Sequence, residues 1–218
     1  MESVSGVGVL DKAVAVLRAV AAGPLSLNDL AHTSGLPRAT AHRLASALED
    51  HGLVRRDGAG RFCLGLGLIG LGRSAAEGFA LAEAARPVLT ALRDATGEGV
   101  QLFVREADAR RCVVSLQALH GLRWIVPEGA LLPLAAGSAG HLLGGEPIPA
   151  RGYVESVEER EPGVASVSAP VLGPAGEVVA AVCVSGPLER LTRRPGQRLG
   201  GAVVAAASEL TSLALVLR

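Results

Sequence analysis

The chain has 218 residues, of which 49% are hydrophobic and 19% charged, and its formal net charge is zero. This composition can build a packed core and excludes a largely disordered chain. Aromatic residues make up only 2%, so the core must be aliphatic. We find no apolar run long enough to span a membrane and no leader with a charged and then an apolar region. The sequence therefore predicts a cytoplasmic protein.

The cysteines are few and far apart in the sequence. Cys63, Cys112 and Cys183 lack the CxxC spacing of metal sites and redox pairs. An odd, scattered set is typical of buried thiols in a reducing compartment. We therefore expect no disulfide framework, no metal and no cofactor.

The first predicted elements are two short helices. Apolar residues at helical spacing predict a helix over 10–22, and Gly23 with Pro24 ends it. A second helix is predicted over 26–33. Ser26 can cap it, with Asp29 three residues on in the place of the usual Glu or Gln.

A third helix follows a tight turn at Ser34 and Gly35. Pro37 stands where a helix tolerates proline, at its first position. The helix runs to about residue 50, and Gly52 supplies the left-handed stop. Two short helices joined by a glycine-containing turn form a helix-turn-helix.

The start of the third helix carries groups that suit DNA. Its apolar face comprises Ala41, Leu44, Ala45 and Leu48. Its leading face comprises Arg38, Ala39, Thr40, His42 and Arg43. A recognition helix enters the major groove with its N-terminal residues at the base edges. Arginine suits guanine, and a small alanine allows close approach.

A basic hairpin is predicted directly after this helix. Strands at 53–56 and 61–64 flank a glycine-rich turn, which is the pattern of a wing. Arg55, Arg56 and Arg61 would lie along phosphates or a minor groove. The alternative is that these arginines are ordinary solvated charges. The predicted DNA-contacting residues are Ser26, Pro37, Arg38, Ala39, Thr40, His42, Arg43, Arg55, Arg56 and Arg61.

The remaining elements predict a second, α+β part. A glycine-rich connecting helix is predicted over 65–78 and an amphipathic helix over 79–96. Strands are predicted at 100–104, 112–117, 122–126, 164–172 and 177–185, with helices at 138–143 and 197–217. The predicted sheet is mostly antiparallel, with helices at its edges.

These residues resemble the IclR-type bacterial transcription regulators. The likeness lies in GVGVLDKAVAVLRAV, LSLNDLAHTSGLPRATAHRLASALEDHGLV and GRFCLG of the first half, and in LPLAAGSAGHLLG and EREPGVASVSAPVLGPAGEVVAAVCVSGPLERLT of the second. It covers nearly the whole chain. GVGVLDKA and GEVVAAVCVSGPLERLTRRPG are most similar to the NdgR-like actinobacterial regulators of amino-acid metabolism and antibiotic production.

The resemblance implies a domain layout and partners. It implies a winged helix-turn-helix at 1–65, a linker helix at 66–81 and a GAF-like effector-binding domain at 82–218. It implies a pseudo-palindromic DNA operator, homodimers and often tetramers, and a small-molecule metabolite such as a carboxylate or an amino acid. The effector-binding positions that it implies are Leu116, Trp124, Ser138, Ala139, Ser156, Ser166 and Cys183.

One segment departs from the family pattern. The family carries a further helical segment after residue 143, whereas this chain has a short link at 144–152 that is rich in glycine and proline. Such a link is not helical. The effector domain is therefore shortened there, and a DNA-binding regulator that needs no ligand is an open alternative.

Two other functions are alternatives. A redox-responsive regulator would use Cys112 and Cys183, but both lie in apolar strand patterns that indicate burial, and a reactive thiol needs exposure. An enzyme would need a catalytic motif. The sequence has no metal-ligand cluster, no GxSxG and no glycine-rich phosphate loop, so we do not expect an enzyme.

Overall fold

A computed structural model describes residues 7–77, 80–121 and 124–216. It divides after residue 75 into two compact units. The N-terminal unit contains α1 (Gly8–Ala21), α2 (Leu27–Ser34), α3 (Arg38–Asp50), β1 (Val54–Arg56), β2 (Phe62–Leu64) and α4 (Gly67–Glu77). The C-terminal unit contains α5 (Ala80–Thr96), β3 (Gly99–Glu106), β4 (Ala109–Leu116), β5 (Leu131–Pro133), α6 (Ser138–Gly144), β6 (Val154–Val157), β7 (Val164–Leu172), β8 (Val178–Pro187), α7 (Leu188–Leu191) and α8 (Pro195–Val216).

The N-terminal unit is a helix-turn-helix followed by a hairpin, as the sequence predicts. Ser26 caps α2, because its hydroxyl accepts a hydrogen bond from the Asp29 N–H at 3.3 Å. Gly35 ends α2 in the left-handed conformation, with φ of 67°. The predicted position of Pro37 is wrong by one residue. Its ψ of 139° is extended, so it stands before the first helical residue as the N-cap of α3.

The core of this unit is aliphatic apart from one phenylalanine. Phe62 is fully buried, and its backbone pairs with Leu25 through two hydrogen bonds of 2.8 and 2.9 Å. This bridge fastens the hairpin of β1 and β2 to the segment before α2. The buried face of α3 consists of the predicted residues Ala41, Leu44, Ala45 and Leu48.

The C-terminal unit is an antiparallel sheet with helices on both faces. Its strand order is β5-β4-β3-β8-β7-β6. One face packs against α5 and α8 and holds the larger core, which includes Val100, Val114 and Val182. The other face packs against α6 and includes Phe103, Cys112 and Cys183. The predicted α+β class with an antiparallel sheet is confirmed.

One predicted strand of this sheet is wrong, and two strands were missed. The wrong one is the strand at 122–126. Residues 124–126 are irregular, and residues 122–123 lie outside the described residues. Near the end of β4, the Ser115 N–H donates to the Glu128 side chain at 3.0 Å rather than to a strand. The two missed strands are β5, which pairs with residues 109–111, and β6, which pairs with β7; they form the two edges of the sheet.

The link after α6 is not helical over residues 145–153, as its glycine and proline content predicts. The expectation that no apolar run has membrane-spanning length needs correction. Among the described helices, α8 is long and apolar enough by length and composition, although one such helix is weak evidence of a span. Leu199, Val203 and Leu210 of α8 are buried in the larger core, so α8 acts as a core helix of this unit.

Candidate functional site

The leading face of α3 is exposed. Arg38, Ala39, His42 and Arg43 are exposed, and Thr40 and the capping residue Ser26 are half-buried. Pro37 before the helix is exposed. A surface depression there is lined by Leu27, Arg38, Ala39 and His42. All the predicted recognition-helix residues except Ser26 therefore lie on or next to the first turns of α3.

The arginines of this surface differ in their partners. The Arg38 Nε–H donates to the Asn28 side-chain oxygen at 3.0 Å. Within the part of the chain that the structure describes, Arg43 and Arg55 make no ion pair with a carboxylate. These two guanidinium groups are therefore available to phosphates without first breaking an internal salt bridge.

The other two wing arginines have internal partners. Arg56 lies over the Phe62 ring, 4.1 Å from its centroid, and pairs with Glu49 at 3.3 Å. Arg61 pairs with Asp57 at 2.8 Å. The backbone and side chain of Arg61 lower the pKa of Asp57 by hydrogen bonding. Arg56 thus fastens the wing to α3, and Arg61 braces the turn of the wing.

The second candidate site is a polar cavity on the α6 face of the sheet. Cross-strand pairing places Ser156, Ser166 and Ser185 in one row and Ser168, Cys183 and Gln101 in the next. Directly paired residues point to the same face of a sheet. All of these except Ser168 line a cavity of about 30 Å³. Phe103, Arg110, Val126 and Arg160 are among the other residues that line it.

A serine cluster lies where α6 begins. The Ser138 hydroxyl hydrogen-bonds to those of Ser166, at 2.7 Å, and Ser168, at 2.8 Å. Ser138 and Ser168 are fully buried. Three hydroxyls in contact can exchange donor and acceptor roles by rotating, so the cluster can adapt to a donor or an acceptor.

The Glu159 carboxylate accepts a hydrogen bond from the backbone at the start of α6. Glu159 accepts hydrogen bonds from the Gly137 N–H at 2.9 Å and from His141 at 2.6 Å. His141 also bonds to Glu146 at 2.6 Å. Burial acts to lower the pKa of His141, but the hydrogen bonds to both glutamates outweigh it and raise that pKa. The Gly137 N–H at the start of α6 is therefore already satisfied by Glu159.

The structure brings together five of the seven predicted effector residues. Ser138, Ala139, Ser156, Ser166 and Cys183 line the cavity. Leu116 does not, because it pairs with Val100 and packs with the larger core on the opposite face of the sheet. Trp124 is half-buried beside the cavity, and its ring contacts Arg160 at 4.9 Å from the centroid.

The sequence analysis missed the charged residues of the cavity. Arg110 is 3% exposed and Arg160 is half-buried. From sequence alone, an arginine within a predicted β-strand is interpreted as a solvent-exposed charge, because the residues that pack against it from other elements are not known. One local signal was that Arg110 lies two residues before Cys112, so the alternation of a strand puts both side chains on the same face of the sheet.

Comparisons with known proteins match both parts of the chain. The IclR helix-turn-helix domain matches residues 9–58, and the C-terminal domain of bacterial transcriptional regulator IclR matches residues 146–212. The glycerol operon regulatory protein of Streptomyces coelicolor is 30% identical over 219 residues, which cover 84% of this chain and 86% of that protein. The transcriptional repressor IclR of Escherichia coli is 26% identical over 226 residues, 87% of this chain and 82% of the repressor.

A solved structure shows the same fold. It is an IclR homolog from Microbacterium hydrocarbonoxydans complexed with 4-hydroxybenzoate, with a TM-score of 0.75 at 22% identity, covering 94% of this chain and 99% of that one. The winged helix-turn-helix and these likenesses define a DNA-binding transcriptional regulator. The chain belongs to the IclR family.

Proposed function

We propose that this regulator binds a DNA operator through α3 and the wing, and that a small molecule in the cavity of the C-terminal unit controls that binding. The observation that carries the proposal is the exposed first turns of α3, where Arg43 makes no ion pair with any carboxylate among the described residues. A polar cavity in the second unit supports the control by a ligand. The proposal assigns no catalytic step and no cofactor, and it places the protein in the cytoplasm with the chromosome.

The proposed DNA contacts divide into two kinds. Arg38, Ala39, Thr40, His42 and Arg43 of α3 face base edges in the major groove, with Pro37 and the Ser26 cap at the backbone. Arg55 contacts a phosphate. Arg56 and Arg61 are paired with Glu49 and Asp57, so they reach phosphates only through the N–H groups that these carboxylates leave unused.

We propose a homodimer on a pseudo-palindromic operator, since paired half-sites match two-fold protein symmetry. Large apolar side chains exposed within the N-terminal unit support an interface there: Val9, Leu10, Leu66, Ile69 and Leu71. The proposed domains are 1–65 for DNA binding, 66–81 for the linker helix and 82–218 for the effector. A tetramer through the effector domains is a further proposal.

The proposed effector is a carboxylate or an amino acid that contacts Ser138, Ala139, Ser156, Ser166 and Cys183. A relative of the same fold was solved with 4-hydroxybenzoate, which is a carboxylate. The NdgR-like sequences GVGVLDKA and GEVVAAVCVSGPLERLTRRPG support a role in amino-acid or antibiotic metabolism.

Two alternatives are weighed against this proposal. A redox switch is disfavoured, because burial raises the pKa of Cys112 to about 12 and also raises that of Cys183. Thiols that stay protonated are poor nucleophiles. Ligand-independent binding is favoured by the small volume of the cavity, about 30 Å³, and by the short link after α6.

The test is binding of the full chain to a labelled fragment of its own upstream region. The titration is repeated with branched-chain amino acids, their 2-oxo acids and small carboxylates. We expect tight binding that one class of compound shifts by about fivefold or more, the usual range of allosteric coupling. Tight binding that no compound shifts would establish the ligand-independent alternative, and absence of specific binding would contradict the DNA-binding assignment.

A further inference from the structure

We infer that Asn28, at the start of α2, orients the Arg38 side chain for bidentate recognition of one guanine in each operator half-site. The inference rests on the proposed function, because it assumes that the start of α3 enters the major groove. It deepens that proposal by naming the base that is read and by identifying a positioning residue that lies outside the recognition helix.

The two side chains meet across the helix-turn-helix. The Arg38 Nε–H donates to the Asn28 side-chain oxygen at 3.0 Å, although the two residues are ten positions apart in the sequence. Both residues are exposed. Because a hydrogen bond made in water stabilises a fold only modestly, its main consequence here is the direction in which the Arg38 guanidinium group points.

The packing of α2 against α3 holds the acceptor in place. Leu30 of α2 and Ala41 of α3 are fully buried in the core of the N-terminal unit. The Ser26 hydroxyl donates to the Asp29 carboxylate at 2.6 Å and accepts from the Asp29 N–H at 3.3 Å. These bonds brace the first turn of α2 on both sides of Asn28, so the position of its amide is set before DNA arrives.

The hydrogen bond to Asn28 leaves the terminal nitrogens of Arg38 free. Among the described residues, Arg38 makes no other hydrogen bond and no ion pair. Its two terminal nitrogens therefore carry four unused N–H groups in one plane. Two of these match the O6 and N7 acceptors of guanine in the major groove. Ala39 lines the same surface depression as Arg38, and its small side chain leaves room for the base edge.

A neutral amide suits this position better than a carboxylate. The Arg56 Nε–H donates to the Glu49 carboxylate at 3.3 Å, which neutralises part of the charge of that arginine. The Asn28 oxygen fixes the direction of Arg38 without cancelling its positive charge, which still attracts the phosphates of DNA. Arg38 is therefore both oriented and fully charged.

Orientation before binding removes part of the entropy cost of ordering the Arg38 side chain. Immobilising one long side chain at an interface costs about threefold to tenfold in affinity. A bidentate contact between arginine and guanine discriminates against another base by about tenfold or more. Without Asn28, Arg38 must be ordered by the guanine itself. We therefore expect the preference for guanine to fall by about threefold to tenfold for each half-site.

The first experiment measures base preference by selection from a library of random DNA duplexes, followed by titration of the selected site and its single-base variants. It uses the full chain as wild type, Asn28→Ala and Arg38→Ala, with Thr33→Ala as the control. Thr33 is an exposed residue near the other end of α2. We expect the wild type and Thr33→Ala to select one guanine in each half-site. Arg38→Ala should lose this preference, and Asn28→Ala should weaken it by about threefold to tenfold.

The outcomes separate the inference from the proposed function. Failure of the wild type to select any sequence contradicts the proposed function, and the inference falls with it. A guanine preference that stays intact in Arg38→Ala or in Asn28→Ala overturns the inference, while the DNA-binding assignment stands. A loss of affinity in Asn28→Ala that is equal for every base at the selected position means a purely structural role for Asn28 and also overturns the inference.

The second experiment uses Asn28→Asp and the double variant Asn28→Ala with Arg38→Ala. Aspartate keeps the oxygen that accepts from the Arg38 Nε–H but adds a negative charge. We expect Asn28→Asp to retain the guanine preference, while its affinity for all duplexes falls and the slope of log K against log salt becomes shallower. In the double variant we expect no loss beyond that of Arg38→Ala, because Asn28 acts through Arg38.

Two results of the second experiment would overturn the inference. A further loss of affinity in the double variant means that Asn28 contacts DNA directly instead of positioning Arg38. Loss of the guanine preference in Asn28→Asp contradicts the role of the side-chain oxygen.

Discussion

Replacing Gly65 by alanine should loosen the DNA-binding unit. Gly65 is buried between β2 and α4, and its N–H donates to the Leu53 carbonyl at 2.9 Å. A methyl group there would lie 2.6 Å from the Gly52 carbonyl carbon and 2.8 Å from that of Leu53. Ordinary carbon contacts are about 3.5–4.0 Å, so the backbone must move by roughly 1 Å.

That movement strains two hydrogen bonds, the one from Gly65 and the 3.1 Å bond from the Gly67 N–H to the Gly52 carbonyl. Each is worth about 1 kcal/mol net. With the lost packing, we expect the N-terminal unit to be destabilised by about 2–4 kcal/mol. The matched control is Gly70→Ala in the exposed part of α4, where a methyl meets nothing within 4 Å. Alanine there should stabilise by about 0.5–1 kcal/mol.

Amide hydrogen exchange of the full chain separates the two units. Peptides from residues 41–48 report opening of the N-terminal unit, and peptides from residues 165–184 report the C-terminal unit. We expect protection of the first set to fall in Gly65→Ala and to hold or rise in Gly70→Ala, with the second set unchanged in both. Equal protection in the two variants would refute the steric argument.

Three further predictions concern the C-terminal unit. Glu98 is 1% exposed and forms a bidentate ion pair with Arg190 at 2.7 and 2.8 Å. Glu98→Ala should therefore lower the free energy of unfolding by about 3 kcal/mol, whereas the exposed control Asp94→Ala should change it by less than about 1 kcal/mol. Equal losses of the two variants in urea unfolding would refute this. Burial raises the pKa of Cys112 to about 12, so this thiol should resist iodoacetamide at pH 8 in the native chain and react in urea. Mass spectrometry measures the labelling, and labelling of Cys112 in the native chain would restore the redox alternative. The pKa of His141 is raised in the folded chain above its ordinary value of 6.5. Its contribution to stability is therefore complete below pH 6.5 and is lost as pH rises through the pKa of the folded state. His141→Gln should flatten the dependence of Tm on pH above 6.5, and an unchanged slope would contradict the raised pKa of His141.

The DNA-binding unit was readable from the sequence because its signals are local. The Ser26 cap, the Gly35 turn and the apolar spacing of α3 each act within a few residues, and each was confirmed. The misplacements, such as that of Pro37, are shifts of one or two positions at helix ends. The end of a helix depends on the backbone angles of the terminal residues, and the residue type favours certain angles without fixing them.

The cavity was only partly readable because it depends on pairing across strands. Ser166 and Cys183 follow from the β7–β8 hairpin, but the face that Leu116 takes depends on its register with Val100 in a strand well before it in sequence. The charge of the cavity was missed for the same reason. Arg110 is buried only because α6, β5 and Phe103 meet around it, and no pattern within β4 shows those neighbours.

The central claim is that the start of α3 reads DNA. The most direct test is the salt dependence of operator binding for the wild type, Arg43→Ala and the control Arg194→Ala, an exposed arginine of the C-terminal unit with the same change in charge. Each lost phosphate contact lowers the slope of log K against log salt by about 0.9. If Arg43 contacts a phosphate, we expect Arg43→Ala to weaken binding and lower the slope by about 1 per protomer. If Arg43 contacts a base, we expect Arg43→Ala to weaken specific binding alone. Arg194→Ala should leave both the affinity and the slope unchanged. Equal operator affinity and equal slopes in all three proteins would contradict the account.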